Sequence, residues 1–180
     1  MLEGKNVNLR IVEKDDLPQF AEMVGSPVFV GEYNPLKQMS KAEVERILER
    51  PADFQSFFIE KKDGGKVGFV VYFYMLHPGL GARILEIGYS LGPGERGKGY
   101  GTEAISLMVD YLFLSTEGSR IQAQTDVRNV ASQRALEKTG FKKEGTLRSA
   151  YFIRGTWRDA FIYSILRDEW KEPKTLTRTA

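Results

Sequence analysis

The sequence predicts an α+β fold in a single domain, with a mixed, mostly antiparallel sheet of about seven strands and about four helices flanking it. Three strand patterns follow one another with short glycine-containing loops between them, and a strand–helix–strand pattern comes next. Two long strand patterns close the chain. Because 180 residues suit one hydrophobic core, we predict one domain over residues 1–180, with its core at about 6–167 and a frayed tail from Lys171.

The N-terminal part supplies one strand and two helices. Residues 6–12 alternate apolar and polar side chains, as in a half-buried strand. A helix is predicted over residues 14–24, and a Ser-x-x-Glu capping box opens another over residues 40–50. Glycine, proline and asparagine are frequent in residues 25–38, which predicts turns there.

The rest of the chain supplies six strands and two helices. The strand patterns cover residues 54–61, 67–75, 83–91, 120–127, 141–153 and 157–166. Residues 102–115 repeat apolar side chains at i, i+3, i+4 and i+7, which predicts a buried helix. Asn129 caps a further helix that ends at Gly140. The order is β-α-α-β-β-β-α-β-α-β-β.

Composition excludes several classes of function. The net charge is +2 and the basic residues are dispersed, which argues against a nucleic-acid-binding surface. The chain has no cysteine, and its single histidine, His77, cannot form a histidine-rich metal site. No apolar run reaches the roughly 18 residues of a membrane span, and no signal-peptide pattern is present. We expect a cytoplasmic protein with no metal, no membrane contact and no direct contact with nucleic acid.

The most informative segment precedes the helix of residues 102–115. Residues 92–101 contain five glycines. A helix N-terminus presents unpaired N–H groups and partial positive charge, and glycines let a ligand approach the backbone. The segment therefore predicts a site for phosphate or pyrophosphate.

Two common phosphate-binding motifs do not fit this segment. The glycines at 97, 99 and 101 are evenly spaced, unlike those of the dinucleotide motif Gly-x-Gly-x-x-Gly. Residues 92–98 follow the P-loop pattern, but Gly99 replaces the hydroxyl residue that binds Mg²⁺. A nucleotide-binding module is therefore disfavoured.

A different family does match. The pattern Arg-x-x-Gly-x-Gly at residues 96–101 resembles the pyrophosphate loop of the GNAT acetyltransferases. Asn-x-x-Ser at 129–132, followed by Glu-Lys-Thr-Gly-Phe at 137–141, resembles the RimJ/RimL-type branch, which acetylates protein N-termini. Further similarity to that branch is found at residues 8–10, 15–16 and 144–148 and in the pair Asp159 and Tyr163.

The resemblance implies that acetyl-CoA is the donor and that a primary amine attacks its thioester directly in a ternary complex. The CoA pyrophosphate would contact the backbone of Arg96, Gly97, Lys98, Gly99, Tyr100 and Gly101. Main-chain groups of Tyr89, Ser90 and Leu91 would face the pantetheine arm, and Asn129 would contact the arm or the reacting region. The side chain of Arg96 could nevertheless be solvated.

The resemblance also implies candidates for proton transfer. Ser132 stands where this branch places the donor that protonates the departing thiolate, whereas Leu136 replaces the tyrosine of many GNAT enzymes. Proton donation then falls to Ser132, Tyr163 or solvent. Glu86, a carboxylate in mid-strand, is the candidate general base. An α-amine, with a pKa near 8, is roughly one-fifth neutral at about pH 7.4, so it needs less help from a base than a lysine amine does.

Structural roles are the alternatives for the same side chains. Asn129 could act only as a helix N-cap, and Ser132 could simply be exposed in the first helical turn. Glu86 could be an ion-pair partner of Arg83 or of a lysine on a neighbouring strand, and Tyr163 could belong to the core.

The function predicted from the sequence is acetylation of a protein N-terminus, such as that of a ribosomal protein. A small-molecule amine (a polyamine, an amino sugar or an antibiotic) is the alternative acceptor, and a non-catalytic CoA-binding domain is a further alternative. A polyamine would need a cluster of carboxylates, for which the candidates are Glu22, Glu32, Glu43 and Glu45. We expect a monomer or a homodimer, in which the last hairpin could pair across a two-fold axis.

Overall fold

The computed structural model describes residues 1–35, 39–48, 54–76 and 83–176, without the side chains of residues 41, 47, 48, 76 and 83. His77 and the predicted pairing of the Arg83 side chain with Glu86 lie outside this part of the chain. Within it, the structure has the α+β architecture that the sequence predicts.

One mixed sheet of eight strands forms the framework of the described residues. The strands are β1 (Leu2–Glu3), β2 (Val7–Ile11), β3 (Phe54–Lys61), β4 (Lys66–Leu76), β5 (Arg83–Leu91), β6 (Arg120–Asp126), β7 (Lys142–Ile153) and β8 (Thr156–Leu166). Their order in the sheet is β1-β2-β3-β4-β5-β6-β8-β7, and all neighbours are antiparallel except β5 and β6. The sheet has one strand more than predicted because Leu2 and Glu3 pair with β2.

Five α-helices lie in the described residues: α1 (Leu17–Gly25), α2 (Pro27–Val30), α3 (Lys41–Leu48), α4 (Tyr100–Ser115) and α5 (Val130–Lys138). Four of them occupy predicted positions, whereas α2 lies in the segment predicted as turns. The Oγ of Ser26 accepts a hydrogen bond from the Phe29 N–H at 3.3 Å, and Pro27 occupies the first helical position. None of the helices in the described residues is long and apolar enough to cross a membrane.

Helices cover both faces of the sheet. On one face, α4 buries side chains with no exposed surface: Ala104, Ile105, Leu107, Met108 and Leu112. Because side chains alternate along a strand, Phe57 and Ile59 of β3 join this core, whereas Phe58 points to the other face. There Phe58 packs with Leu17 of α1 and Val44 of α3. The core under α4 also contains Leu85 and Ile87 of β5 and Ile121 of β6, so this layer supports the central strands.

Residues 170–176 are docked on α4, in contrast to the frayed tail predicted from Lys171. Asp110, which is 1 % exposed, accepts a hydrogen bond from the Trp170 indole at 2.8 Å. The same carboxylate accepts hydrogen bonds from the backbone N–H groups of residues 174–176 at 2.7 to 3.0 Å. Four donors converge on one buried carboxylate, which no local sequence pattern indicates.

Candidate active site

A cleft opens where the two parallel strands diverge. β5 and β6 pair at Leu85 with Ile121 and at Glu86 with Gln122. Beyond these pairs, β5 follows β4 while β6 follows β8, so one edge of β5 faces the gap with its main-chain groups. The gap is a cleft of about 260 Å³, lined by residues of β4, β5, β6, α5 and β7 and by residues 33–35.

Glu86 lies at the point of divergence and lines the cleft. The residue is 8 % exposed. Its Oε2 accepts hydrogen bonds from Gln122 Nε2 at 2.6 Å and from Gln124 Nε2 at 3.3 Å. No lysine or arginine side chain that the structure describes forms an ion pair with it within 4.0 Å. A buried carboxylate with neutral amide partners can hold a cation or accept a proton.

The two glutamines were missed in the sequence, although a signal was present. Gln122 and Gln124 alternate with apolar residues in a strand pattern, which places both amides on one face of β6. Their partner could not be recognised because it comes from a strand far away along the chain. The parallel pairing of β5 with β6 brings them together.

Asp126, at the end of β6, is the second carboxylate of the cleft. It is 1 % exposed and accepts hydrogen bonds from the Arg128 N–H at 2.8 Å and from Arg158 Nη1 at 3.3 Å. Burial alone would raise the pKa of Asp126, but the hydrogen bonds from Arg128 and Arg158 outweigh burial and hold the pKa below its usual range. Its negative charge is therefore already compensated.

Tyr151 of β7 also lines the cleft and was not predicted. Burial, followed by the negative charges of Glu86 and Asp126, raises the pKa of Tyr151 to about 12. The side chain reaches the cleft through a bulge in β7, where Ser149 has a φ of +48° and its N–H donates to Asp159 Oδ1 at 2.8 Å. This irregularity breaks the two-residue alternation on which sequence reasoning depends.

The start of α5 brings Asn129 and Ser132 to the cleft. Asn129 Oδ1 accepts a hydrogen bond from the Ser132 N–H at 3.1 Å and thus caps the helix. The hydroxyl of Tyr89 donates to Ser132 Oγ at 3.2 Å, and burial raises the pKa of Tyr89. The Ser132 Oγ accepts this hydrogen bond, and the Ser132 hydroxyl keeps its own proton to donate.

The glycine loop leads into α4 with unpaired backbone donors. The first intrahelical bond of α4 is Glu103 N–H to the Gly99 carbonyl at 3.0 Å, so the N–H groups of residues 100–102 have no intrahelical acceptor. Gly97 and Gly99 have φ values of +77° and +87°, a region that other residues rarely adopt. A Cβ on either glycine would meet no atom within 4 Å, so the loop has open space beside its backbone.

Other features of the loop also concern the proposed donor site. A Cβ on Gly101 would lie 3.2 Å from the Tyr89 ring, so glycine allows this ring to pack against α4. Lys98 pairs with Glu95 at 2.9 Å, and Tyr100 is the first residue of α4. Free N–H groups, positive-φ glycines and open space fit a pyrophosphate group.

The side chain of Arg96 is exposed, as the alternative allowed, but it also bonds the protein. Its Nε donates to the Leu91 carbonyl at 3.0 Å and its Nη2 donates to the Phe29 carbonyl at 2.8 Å. Ser90 Oγ donates to the same Phe29 carbonyl at 3.4 Å. The guanidinium therefore bonds protein carbonyls, and α2 rests on the end of β5.

The structure does not bring Tyr163 to the cleft. The residue is 1 % exposed and its hydroxyl donates to Glu137 Oε1 at 3.2 Å. Burial, together with that hydrogen bond, raises the pKa of Tyr163 to about 12. Its ring belongs to the core between the sheet and α5, so it has no route to a reacting group in the cleft.

The four carboxylates considered for a polyamine site do not line the cleft. Glu43 accepts hydrogen bonds from Ser40 in the predicted capping box, and Glu45 pairs with Lys14 at 3.4 Å. Glu22 and Glu32 are exposed. Among the residues with described coordinates, no group of three or more His, Asp or Glu side chains could hold a metal ion.

Comparison with known proteins decides the family. The family model described as an acetyltransferase (GNAT) domain matches residues 6–142. The chain belongs to the GNAT acetyltransferase family. It is 32 % identical over 181 residues to the probable N-acetyltransferase YjcK of Bacillus subtilis (strain 168), with 94 % of this chain and 98 % of that protein covered. This GNAT protein is an N-acetyltransferase, and acetyl-CoA is its acetyl donor.

Solved structures confirm the predicted GNAT fold. The spermidine N-acetyltransferase of Vibrio cholerae, in complex with CoA and spermine, superimposes with a TM-score of 0.79 at 22 % identity, covering 92 % of this chain and 98 % of that one. RimJ of Mycobacterium smegmatis, in complex with CoA-disulfide, superimposes with a TM-score of 0.78 at 22 % identity, covering 94 % of this chain and 91 % of that one. At these identities the likeness establishes the fold of this GNAT acetyltransferase, and its acceptor has to be inferred from its own cleft.

Proposed function

We propose that this acetyltransferase modifies an acceptor with a single positive charge, a protein N-terminal α-amine, in the cleft between β5 and β6. The observation that carries the proposal is the uncompensated carboxylate of Glu86 in that cleft. Glu86 would hold the ammonium form of the acceptor and then take its proton, directly or through one water.

The charge balance of the cleft favours one positive charge over several. Its described carboxylates are Glu86 and Asp126, and Asp126 already bonds Arg128 and Arg158. A polyamine carries several positive charges, each of which needs a carboxylate or comparable acceptor when it leaves water. One carboxylate without a cationic partner, Glu86, matches one ammonium group.

The donor would lie along β5 and the glycine loop. The open edge of β5 at Tyr89, Ser90 and Leu91 would pair with the pantetheine amides, and the N–H groups of residues 96–101 would hold the pyrophosphate. Bound acetyl-CoA supplies the activated acetyl thioester. Asn129 is engaged as a helix cap, so its contribution is to hold Ser132 at the mouth of the cleft.

Ser132 would supply the proton for the departing sulfur. Its hydroxyl accepts from Tyr89, so the Ser132 proton is directed away from Tyr89. Tyr89 can replace that proton along the existing hydrogen bond and would recover its own from solvent through the open cleft, while the amine proton leaves through Glu86. The half-buried pair Tyr89 and Ser132 would thus take the role that the tyrosine absent at Leu136 has in many GNAT enzymes.

A polyamine acceptor is the second candidate. The Escherichia coli (strain K12) spermidine N(1)-acetyltransferase is 26 % identical over 182 residues, with 99 % of this chain covered. The V. cholerae structure with CoA and spermine has the same fold. Both favour a small amine, whereas the charge balance of the cleft favours a single ammonium group.

An acetylation assay that measures the release of free CoA separates the two acceptors. Peptides with a free N-terminus, the same peptides with a blocked N-terminus, and spermidine would each be offered with acetyl-CoA. We expect turnover of the free peptides, loss of turnover on blocking, and little turnover of spermidine. Efficient turnover of spermidine without turnover of any peptide would replace the first candidate by the second.

The substitution Glu86→Gln tests the proposed base. It keeps the shape of the side chain and removes its charge, so kcat/KM for the peptide should fall about 100-fold near pH 7. The deficit should shrink as pH rises through about 8, since the α-amine then loses its proton to solvent. Glu22→Gln, on the exposed side of α1, is the matched control and should leave kcat/KM unchanged. A deficit that stays constant with pH would contradict the role of Glu86 as a base.

A further inference from the structure

We infer that the side chain of Arg96 is a positioning residue for the acceptor, although it belongs to the loop that would bind the donor. Its hydrogen bond to Phe29 connects the glycine loop to residues 29–35. The last three of these residues line the acceptor side of the cleft, and we call them the acceptor wall. The inference rests on the proposed function, because it takes the cleft of Glu86 as the acceptor site. In this inference the partners of the Arg96 guanidinium are the carbonyls of Leu91 and Phe29, and not the phosphate of the donor.

Four contacts of Phe29 dock α2 on the glycine loop and on the adjoining strands β4 and β5. Arg96 Nη2 and Ser90 Oγ both donate to the Phe29 carbonyl, at 2.8 and 3.4 Å. The Phe29 ring stacks on Phe69 at 6.1 Å between centroids, and it approaches Gly92 so closely that a Cβ there would lie 3.3 Å away. A carbonyl, a ring and a guanidinium therefore join two segments that are about 60 residues apart in the chain.

Gly31 makes room for the guanidinium. Its φ is +78°, and a Cβ at this position would lie 3.0 Å from Arg96 Nη2 and 3.3 Å from Nη1. A side chain at residue 31 would therefore push Arg96 away and would also strain the backbone. Tyr33, Asn34 and Pro35, which line the cleft, come two residues after Gly31. The contact of Arg96 with this part of the chain therefore fixes where the acceptor wall begins.

The hairpin of β7 and β8 also contacts this segment, at residues 31 and 32. Arg158 Nη1 donates to the Glu32 carbonyl at 3.3 Å, and Arg154 Nη2 approaches the Gly31 carbonyl at 3.5 Å. These contacts are longer than those of Arg96. Arg96 is therefore the principal polar tie between the acceptor wall and the rest of the described molecule.

This geometry predicts that loss of Arg96 affects the acceptor and the donor differently. Both carbonyl bonds involve a charged donor, and the planar guanidinium reaches Leu91 and Phe29 together. Without them the wall at residues 33–35 loses its anchor, while the N–H groups and glycines that would hold pyrophosphate remain. The expected result is weaker use of the amine with little change in acetyl-CoA affinity.

The experiment compares two quantities in Arg96→Ala and Arg96→Lys. Calorimetry gives the Kd of acetyl-CoA, and steady-state assays with whichever amine the wild type turns over give KM and kcat. For both variants we expect amine KM to rise about tenfold and acetyl-CoA Kd to stay within about twofold, since lysine cannot bridge both carbonyls. A rise in acetyl-CoA Kd as large as the rise in amine KM, or full recovery of amine KM by lysine, would overturn the inference.

A second variant keeps the test independent of Arg96 itself. Gly31→Ala should reproduce the rise in amine KM because its Cβ displaces the guanidinium, and combination with Arg96→Ala should add little more. Lys171→Ala removes one exposed positive charge from the tail and should leave both constants unchanged. Additive effects of the Gly31 and Arg96 substitutions would contradict the proposed contact. Failure of Glu86 as a base would appear separately, in the pH dependence of Glu86→Gln.

Discussion

The two sides of the cleft are built in different ways. The proposed donor side is one continuous stretch of chain, residues 89–101, in which the end of β5, the glycines and the start of α4 follow one another. The acceptor side is assembled from distant parts: residues 33–35, Glu86, Tyr151 and the amides of β6. A site made from one segment is specified by local backbone geometry, whereas a site made from many segments depends on side-chain contacts between elements.

The largest expected effect tests the local character of the donor side. Gly99→Glu places a side chain at a φ of +87° and a carboxylate beside the pyrophosphate site. We expect acetyl-CoA affinity to fall by more than about 100-fold, a loss of at least about 2.7 kcal/mol measured by calorimetry. Gly94→Glu is the matched control, because a Cβ there meets no atom within 4 Å and its φ is not positive. Equal loss in both variants would mean that charge alone, and not the loop geometry, decides binding.

A smaller effect is expected where the two sides meet, at Ser132. The substitution Ser132→Ala removes the hydroxyl that Tyr89 orients, so kcat should fall about 10- to 100-fold, with solvent replacing part of the proton donation. Acetyl-CoA affinity should change little. Tyr89→Phe should lower kcat less than Ser132→Ala does, because the serine proton remains. An unaltered kcat in Ser132→Ala would remove this residue from the proton transfer.

The smallest of these effects tests the assembled character of the acceptor side. Asp159→Ala removes the acceptor of the Ser149 N–H, so the bulge that directs Tyr151 into the cleft should relax. Amine KM should rise about 3- to 10-fold, corresponding to roughly one hydrogen bond, while acetyl-CoA Kd is unchanged.

Ser149→Gly is the control for the bulge. It suits the φ of +48° and keeps the N–H, so amine KM should stay at the wild-type value. A change in acetyl-CoA Kd in Asp159→Ala, without a change in amine KM, would show that the bulge does not serve the acceptor.

The same difference explains which features the sequence could predict. The positions of the long strands, of α4 and of the glycine loop along the chain follow from periodicity and from neighbouring residues. The structure contains all of these elements at the predicted positions. β1 and α2 escaped prediction because two and four residues are too short to show a period. The GNAT resemblance was confirmed by the family match.

The acceptor side could be predicted only in part. Glu86 stood out as a carboxylate inside an apolar strand, but its amide partners depend on parallel pairing between β5 and β6. Tyr151 depends on a bulge, and the tie from Arg96 to Phe29 spans 67 residues, so neither leaves a local pattern. Tyr163 shares a strand pattern with Asp159, yet only the packing of α5 shows that its hydroxyl is used by Glu137.

One measurement tests the proposed acceptor most directly. A peptide with a free N-terminal α-amine and one internal lysine would be incubated with the enzyme and acetyl-CoA, and the acetylated position read by tandem mass spectrometry. A single carboxylate acting on an amine of pKa near 8 predicts acetylation of the N-terminus and not of the lysine, whose pKa is about 10.4. Acetylation of the lysine alone, or acetylation of spermidine with the peptide left unmodified, would contradict the account.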